Sequence, residues 1–208
     1  MGISEPLLAK SPALTQIPVS QETPLMKTFL SSQADEHSLI HQVKKGDSLE
    51  RISKKNQVTV QLIKKINRLS SDILRPGMKL KIPTYKLSLV ADKSQNTLIL
   101  KAGEEVLKTY IVSTGENNST PVGVFKITNK LVNPTWYTSG AVVAPGNPKN
   151  LLGTRWLGIN AKGYGIHGTT EPEKLGQQVT AGCIRMKNEE VEELYDFITP
   201  GTELTIVD

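Results

Sequence analysis

Cysteine occurs once in these 208 residues, at Cys183. A single thiol excludes an internal disulfide framework and any cysteine-rich metal site. Histidine occurs three times, at His37, His41 and His167. Beside one thiol that is too few, and too scattered, for a zinc set. Aromatic residues make up only 5% of the chain and apolar residues 38%. The apolar fraction is low for a single compact core and points to surface-rich modules or a disordered portion. No apolar run approaches the roughly 18 residues that span a bilayer, so no transmembrane segment is expected. The opening Met1-Gly2-Ile3-Ser4-Glu5 has neither the basic start nor the apolar core of an export signal.

What charge there is sits unevenly. The formal net charge is +5, yet residues 41–86 alone carry +9, twelve Lys and Arg against Asp47, Glu50 and Asp72. Both flanking stretches are mildly acidic. A basic segment of this kind suits a polyanionic partner or matrix, or simply forms a lysine-rich solvated helical face. Nucleic acid fits poorly, because Tyr85 is the only aromatic residue there and bases would have nothing to stack on.

The chain divides into three. Residues 1–39 read as a disordered leader or linker: Pro6, Pro12, Pro18 and Pro24 recur among Ser, Thr and Gln without sustained apolar periodicity. Residues 40–84 form a compact unit. A strand candidate around Val43 ends at Lys45-Gly46. Asp47 with Glu50 forms a start like a capping box, for a helix carrying Leu49 and Ile52. Thr59 caps a second helix bearing Val60, Leu62, Ile63 and Ile66. Arg75-Pro76-Gly77 then turns into Met78–Ile82, which alternates as a strand does. The economical order is βααβ.

The run Val43-Lys44-Lys45-Gly46-Asp47-Ser48-Leu49, followed by Ile52, Asn67, Pro76-Gly77 and Ile82-Pro83, resembles a LysM module. That family binds glycans containing N-acetylglucosamine, peptidoglycan among them. The resemblance implies that the Gly46, Asp47 and Ser48 turn and the Ile73–Leu74 loop flank a sugar groove. Gly46, Asp47 and Pro76-Gly77 equally shape the turns themselves.

Residues 86–208 are β-rich. Strands are expected around Leu87–Leu89, Leu98–Leu100, Val106–Val112, Val122–Ile127 and 203–207, with a turn at Asp92–Asn96. One helix stands out, with Asn188 as its cap, Glu189 and Glu190 in its first turn, and Val191, Leu194, Tyr195 and Ile198 on its apolar face. The fold class is therefore α+β in two domains: a small βααβ module, then a mainly-β sandwich or barrel with a peripheral helix.

Two residues in this domain carry chemistry. A lone cysteine is most often a small buried hydrophobe, but Cys183 follows Gly182 and precedes Arg185 by two positions. In an extended strand that puts thiol and guanidinium on one side, where the cation favours a thiolate or holds a carboxylate. His167, between Ile166 and Gly168, is the domain's only histidine. The Gly168 carbonyl can accept the Nδ1 proton and leave Nε2 as base, the orienting task an aspartate performs in a serine triad.

His167-Gly168, then Thr180-x-Gly182-Cys183-x-Arg185 with sixteen positions from histidine to cysteine, resembles the signature of the L,D-transpeptidase catalytic domain, the YkuD domain. Ser113-Thr114-Gly115 and Thr120-Pro121-Val122-Gly123-Val124-Phe125 resemble that family's substrate-side strands. Ala181 departs from the histidine many members carry. The resemblance implies a peptidoglycan transferase of cell-wall biogenesis and cell shape. Cys183 would attack a tetrapeptide stem, release D-Ala and pass the thioester to a second stem as a 3→3 cross-link. In that role His167 is the proton carrier, Gly168 its orienter and Arg185 a charge partner. Thr180, Gly182, Tyr164 and Trp156 would face substrate, residues 129–157 would form a lid or groove wall, and the N–H groups near Gly182 and Cys183 would serve the oxyanion. No cofactor is implied. Partners are peptidoglycan stems and glycan strands, the setting is a cell wall or spore, and a monomer is expected.

Three alternatives use the same residues. Water as acceptor makes an L,D-carboxypeptidase. A papain-like endopeptidase places its cysteine before its histidine, the reverse of this order. A non-catalytic peptidoglycan-binding coat or scaffold protein would show no thiol reactivity.

Overall fold

A computed structural model describes residues 22–138 and 140–208. The segment read as a leader begins its described part with a helix, α1 (Pro24–Leu30). Thr23 caps it by accepting from the Met26 N–H, and Pro24 occupies the first turn, where a missing N–H costs nothing. Met26 and Phe29 are fully buried. The expectation of a disordered leader therefore fails for this stretch, and the prolines at 6, 12 and 18 lie outside the described residues.

The N-terminal module follows as β1 (Ser38–Gln42), α2 (Leu49–Asn56), α3 (Val60–Asn67) and β2 (Lys79–Pro83), with β1 and β2 antiparallel. The expected βααβ order holds. The strand ends at Gln42, earlier than read, with Val43 just beyond it, still bonded to the Met78 carbonyl. Ser48, not Asp47, caps α2 by accepting from the Arg51 N–H. Thr59 caps α3 through the Leu62 N–H, as its position predicted. Asn67 joins the second helix to the closing strand: its amide accepts from the Lys81 N–H at 2.7 Å and donates to the Lys81 carbonyl at 2.8 Å.

Helix α3 is apolar on two faces. Ile63 packs into the module's own core with Val43, Leu49, Ile52, Leu80 and Ile82. Leu62 and Ile66, four apart and so on a common face, join Met26 and Phe29 in the core of the next domain. Polar contacts reinforce the junction. The Thr59 hydroxyl donates to the Asp196 carbonyl, and the Lys65 ammonium lies 4.9 Å from the centre of the Phe197 ring. Lys81, 2% exposed, sends its ammonium to the carbonyls of Thr28 and Ser31 and to the Asp35 carboxylate at 2.6 Å. The former leader thus pins the small module to the large domain.

The large domain contributes β3 (Leu87–Asp92), β4 (Thr97–Ala102), β5 (Glu105–Ile111), β6 (Thr114–Gly115), β7 (Gly123–Val132), β8 (Trp136–Tyr137), β9 (Val142–Val143), β10 (Arg155–Ile159), β11 (Gly165–His167), β12 (Gln178–Thr180), β13 (Ile184–Arg185), helix α4 (Asn188–Phe197) and β14 (Glu203–Val207). Eight strands form one curled sheet in the order β13-β11-β10-β7-β14-β3-β4-β5. It is mainly β with few helices, as expected. Within it β11 pairs β13 in parallel and β14 pairs β3 in parallel; the other pairings are antiparallel. Val191, Leu194 and Phe197 of α4 are buried in the core that the sheet lines. No helix among the described residues is long and apolar enough to cross a membrane.

Candidate active site

The parallel pair β11–β13 at one end of the sheet decides which side chains meet. Ile166 stands opposite Ile184 and His167 opposite Arg185. Side chains alternate along a strand, and both isoleucines are buried in the core. His167 and Arg185 therefore project to the other face. Cys183, one residue before β13, shares that face by the same alternation and is partly exposed. Trp156 on β10 is paired across from His167, its ring stacked on the imidazole with centroids 5.9 Å apart and planes 16° from parallel.

The Gly168 carbonyl lies 2.7 Å from His167 Nδ1. A carbonyl only accepts, so Nδ1 carries the proton and Nε2 keeps its lone pair. Burial pushes the ring's pKa from 6.5 down to about 4. The Gly168 carbonyl opposes that fall, the Arg185 charge adds to it, and the Leu151 carbonyl opposes it again. Burial also raises the Cys183 pKa, while the Gly165 N–H and the Arg185 charge pull it back. The thiol donates to the Gly163 carbonyl at 3.5 Å. Both shifts leave the thiol and the imidazole uncharged at neutral pH.

Several side chains stand in other relationships than the sequence suggested. Arg185, 5% exposed, directs Nη1 at the Glu171 carboxylate at 3.1 Å, a partner that sequence reasoning missed. Its Nε is buried with no hydrogen-bond partner among the described residues. The Thr180 hydroxyl, expected to face substrate, is engaged within the turn: it donates to the Cys183 carbonyl at 2.7 Å and accepts from the Gly182 N–H at 3.1 Å. That bond also removes the Gly182 N–H from the candidate oxyanion donors. Gly182 itself sits at φ +126°, and a Cβ there would meet the Tyr164 ring at 2.5 Å, so only glycine fits the turn.

The segments expected on the substrate side buttress this turn. Thr120 donates its hydroxyl to the Gly182 carbonyl at 2.9 Å and accepts from the Gly115 N–H. Ser113 bridges Arg185 through both backbone groups. In the expected lid, Asn150 is buried and donates to the carbonyls of Pro134, Val143 and Ala144, closing the base of the β8–β9 hairpin. The exposed Tyr137 and Val142 form a cross-strand pair in that hairpin. Asn188 is not the cap of α4. Lys187 holds that position without a side-chain bond, and the Asn188 amide reaches two loops beside His167.

In the small module, Asp47 accepts from His41 Nε2 at 2.8 Å and from the Lys44 N–H at 2.9 Å. These bonds, the backbone one foremost, hold its carboxyl below the usual range. Gly46 turns at φ +91° and Ser48 caps the helix. Ile73 is exposed at 74%, whereas Leu74 packs against the module's core.

Comparison with known proteins agrees with these two units. Residues 86–206 match the family model described as the L,D-transpeptidase catalytic domain, YkuD, and residues 41–83 match the LysM domain model. A Bacillus subtilis protein named as an L,D-transpeptidase, YqjB, is 40% identical over 126 residues, covering 58% of this chain and 70% of that one. A second B. subtilis protein so named, YkuD, is 33% identical over 175 residues, covering 81% of this chain and 98% of its own length. Among solved structures, an L,D-transpeptidase from Mycobacterium tuberculosis H37Rv superposes with a TM-score of 0.52 at 19% identity, and one from Mycobacterium smegmatis with 0.51 at 18%. Each of these matches covers 64% of this chain, and 63% and 64% of the respective structures. At that identity the likeness is one of fold.

Proposed function

Because the chain belongs to the L,D-transpeptidase catalytic-domain family and carries a LysM domain ahead of it, we propose that it forms 3→3 cross-links in peptidoglycan through a thioester on Cys183. The observation that carries the reading is the His167–Gly168 bond, which leaves a basic Nε2 on the face that Cys183 shares. The substrate is a tetrapeptide stem. Cys183 Sγ attacks the carbonyl carbon of its third residue as the thiol proton passes to His167 Nε2. The resting thiol pKa is raised and the imidazole pKa depressed, so the proton leaves in step with attack rather than beforehand.

The tetrahedral oxyanion needs a donor, and with the Gly182 N–H engaged the Cys183 N–H is the remaining candidate in the turn. Collapse breaks the bond to D-Ala, whose amine takes the proton from Nε2. The side-chain amine of a second stem then gives its proton to Nε2, attacks the thioester and restores the thiol. Arg185 shares the face of Cys183 and serves as the cation for a stem carboxylate, and Glu171 keeps the guanidinium charge balanced until substrate arrives.

The LysM domain supplies the polymer contact. A glycan held there raises the effective concentration of stems at the docked catalytic domain, and the +9 segment suits an anionic wall outside the membrane. The test is product analysis after incubation with disaccharide-tetrapeptide. Cysteine-dependent dimers lacking one D-Ala support transpeptidation. Loss of D-Ala without dimers assigns the site to an L,D-carboxypeptidase, and intact stems with an inert thiol assign the chain to a peptidoglycan-binding scaffold.

A further inference from the structure

Asn188 was expected to cap α4, yet its side chain turns away from that helix. Its Oδ1 accepts from the backbone N–H groups of Thr154 and Thr169, each at 3.1 Å, and its Nδ2 donates to the Thr169 carbonyl at 2.8 Å. Three of the four hydrogen bonds an asparagine amide can make are therefore directed at two loops far apart in sequence. The fit is close. A Cβ on either Gly153 or Gly168 would collide with Oδ1.

Both loops touch His167. Thr169 follows Gly168, whose carbonyl holds the Nδ1 proton. Thr154 lies two residues before Trp156, which stacks on the imidazole. The Gly168 N–H crosses to the Arg155 carbonyl at 3.2 Å, and the Met186 N–H, two residues before Asn188, bonds the His167 carbonyl at 2.9 Å. One amide thus clamps the segments that fix the ring's orienting carbonyl and its stacking wall.

We propose that Asn188 is a positioning residue for the acyl transfer: it holds the Gly168 carbonyl against His167 Nδ1 and so keeps Nε2 unprotonated. A free neutral imidazole prefers its proton on Nε2, the tautomer that cannot take a proton from the thiol. Only an acceptor fixed at Nδ1 reverses that preference, and a glycine carbonyl in a loop is fixed no better than the loop. The inference rests on His167 acting as the proton carrier, and the readouts separate the two claims.

The full chain is labelled with ¹⁵N-histidine, and long-range proton–nitrogen spectra at neutral pH report the tautomer, with His167→Gln assigning the signal. Wild type is expected to show the Nδ1–H form. Asn188→Ala is expected to lose that form as the major one and to lower kcat on disaccharide-tetrapeptide at least tenfold, with KM within about twofold. Asn188→Asp keeps the two accepted bonds and loses the donated one, so its kcat is expected to fall between; it also serves if the alanine variant does not fold. Retention of the Nδ1–H tautomer and wild-type kcat in both variants, or in whichever one folds, overturns the proposal, whatever happens to the melting temperature. A tautomer change in a protein whose wild type leaves stems untouched upholds the positioning role and counts against the transferase reading instead.

Discussion

Glu171 and Arg185 are joined by a 3.1 Å ion pair on the strand-edge face that presents the candidate nucleophile. Fourteen residues separate them in sequence, and the carboxylate is shared with Lys174 at 2.8 Å. The pair matters because the Arg185 charge acts on both candidate groups, lowering the Cys183 pKa and lowering that of His167.

Glu171→Gln removes the anion that offsets this charge. The thiol is expected to become more acidic, so the midpoint of Cys183 alkylation by iodoacetamide should move to lower pH than in wild type. Leaving Arg185 without its carboxylate should also cost about 1–3 kcal/mol of stability. Rate-against-pH profiles of the two proteins check the first point, and urea unfolding checks the second. An unchanged midpoint would mean that Glu171 does not control the field at the sulfur.

His167 imposes a pH dependence on folding. Its folded pKa of about 4 lies below the ordinary 6.5, so between those values the unfolded chain binds the extra proton and the native state does not. Stability is therefore complete above about pH 6.5 and is lost as pH falls towards 4, by on the order of 3 kcal/mol. His167→Gln lacks this group and should lose less stability over the same window. Denaturant unfolding of both proteins at pH 7 and pH 4.5 measures the difference, and identical losses would contradict the depressed pKa.

Phe29 tests the interdomain wedge. It is 1% exposed and packs against Tyr85 and Phe197, with ring centroids 6.1 and 6.3 Å away. Phe29→Ala should lower stability by about 3–5 kcal/mol, read as a shift of the urea midpoint. If residues 22–36 were merely a leader, the substitution would leave that midpoint where it is.

The candidate site was legible because its residues are rare and locally marked: the chain's one cysteine after a glycine, and the domain's one histidine before one. The strand alternation in β3, β4 and β14 was legible for the same local reason. What could not be read depends on contacts between distant segments. Glu171 reaches Arg185 only because the loop after β11 folds back over β13. Asn188 carried the right residue type for a cap, but three backbone groups in remote loops captured its amide. The two bonds by which Thr180 ties the turn, to the Cys183 carbonyl and from the Gly182 N–H, could not be read from its position. In α1, Met26 and Phe29 are two apolar anchors on seven residues, too short a run to show a period, although Thr23-Pro24 was a helix-start signal that could have been weighed against the proline-rich surroundings.

The central claim is that Cys183 carries the acyl group, and intact-protein mass spectrometry of a rapidly quenched mixture with disaccharide-tetrapeptide tests it most directly. The account predicts an adduct equal to the substrate less D-Ala, localised to the peptide containing Cys183 and missing from Cys183→Ala. An unmodified Cys183 in a mixture where D-Ala is nonetheless released would contradict it.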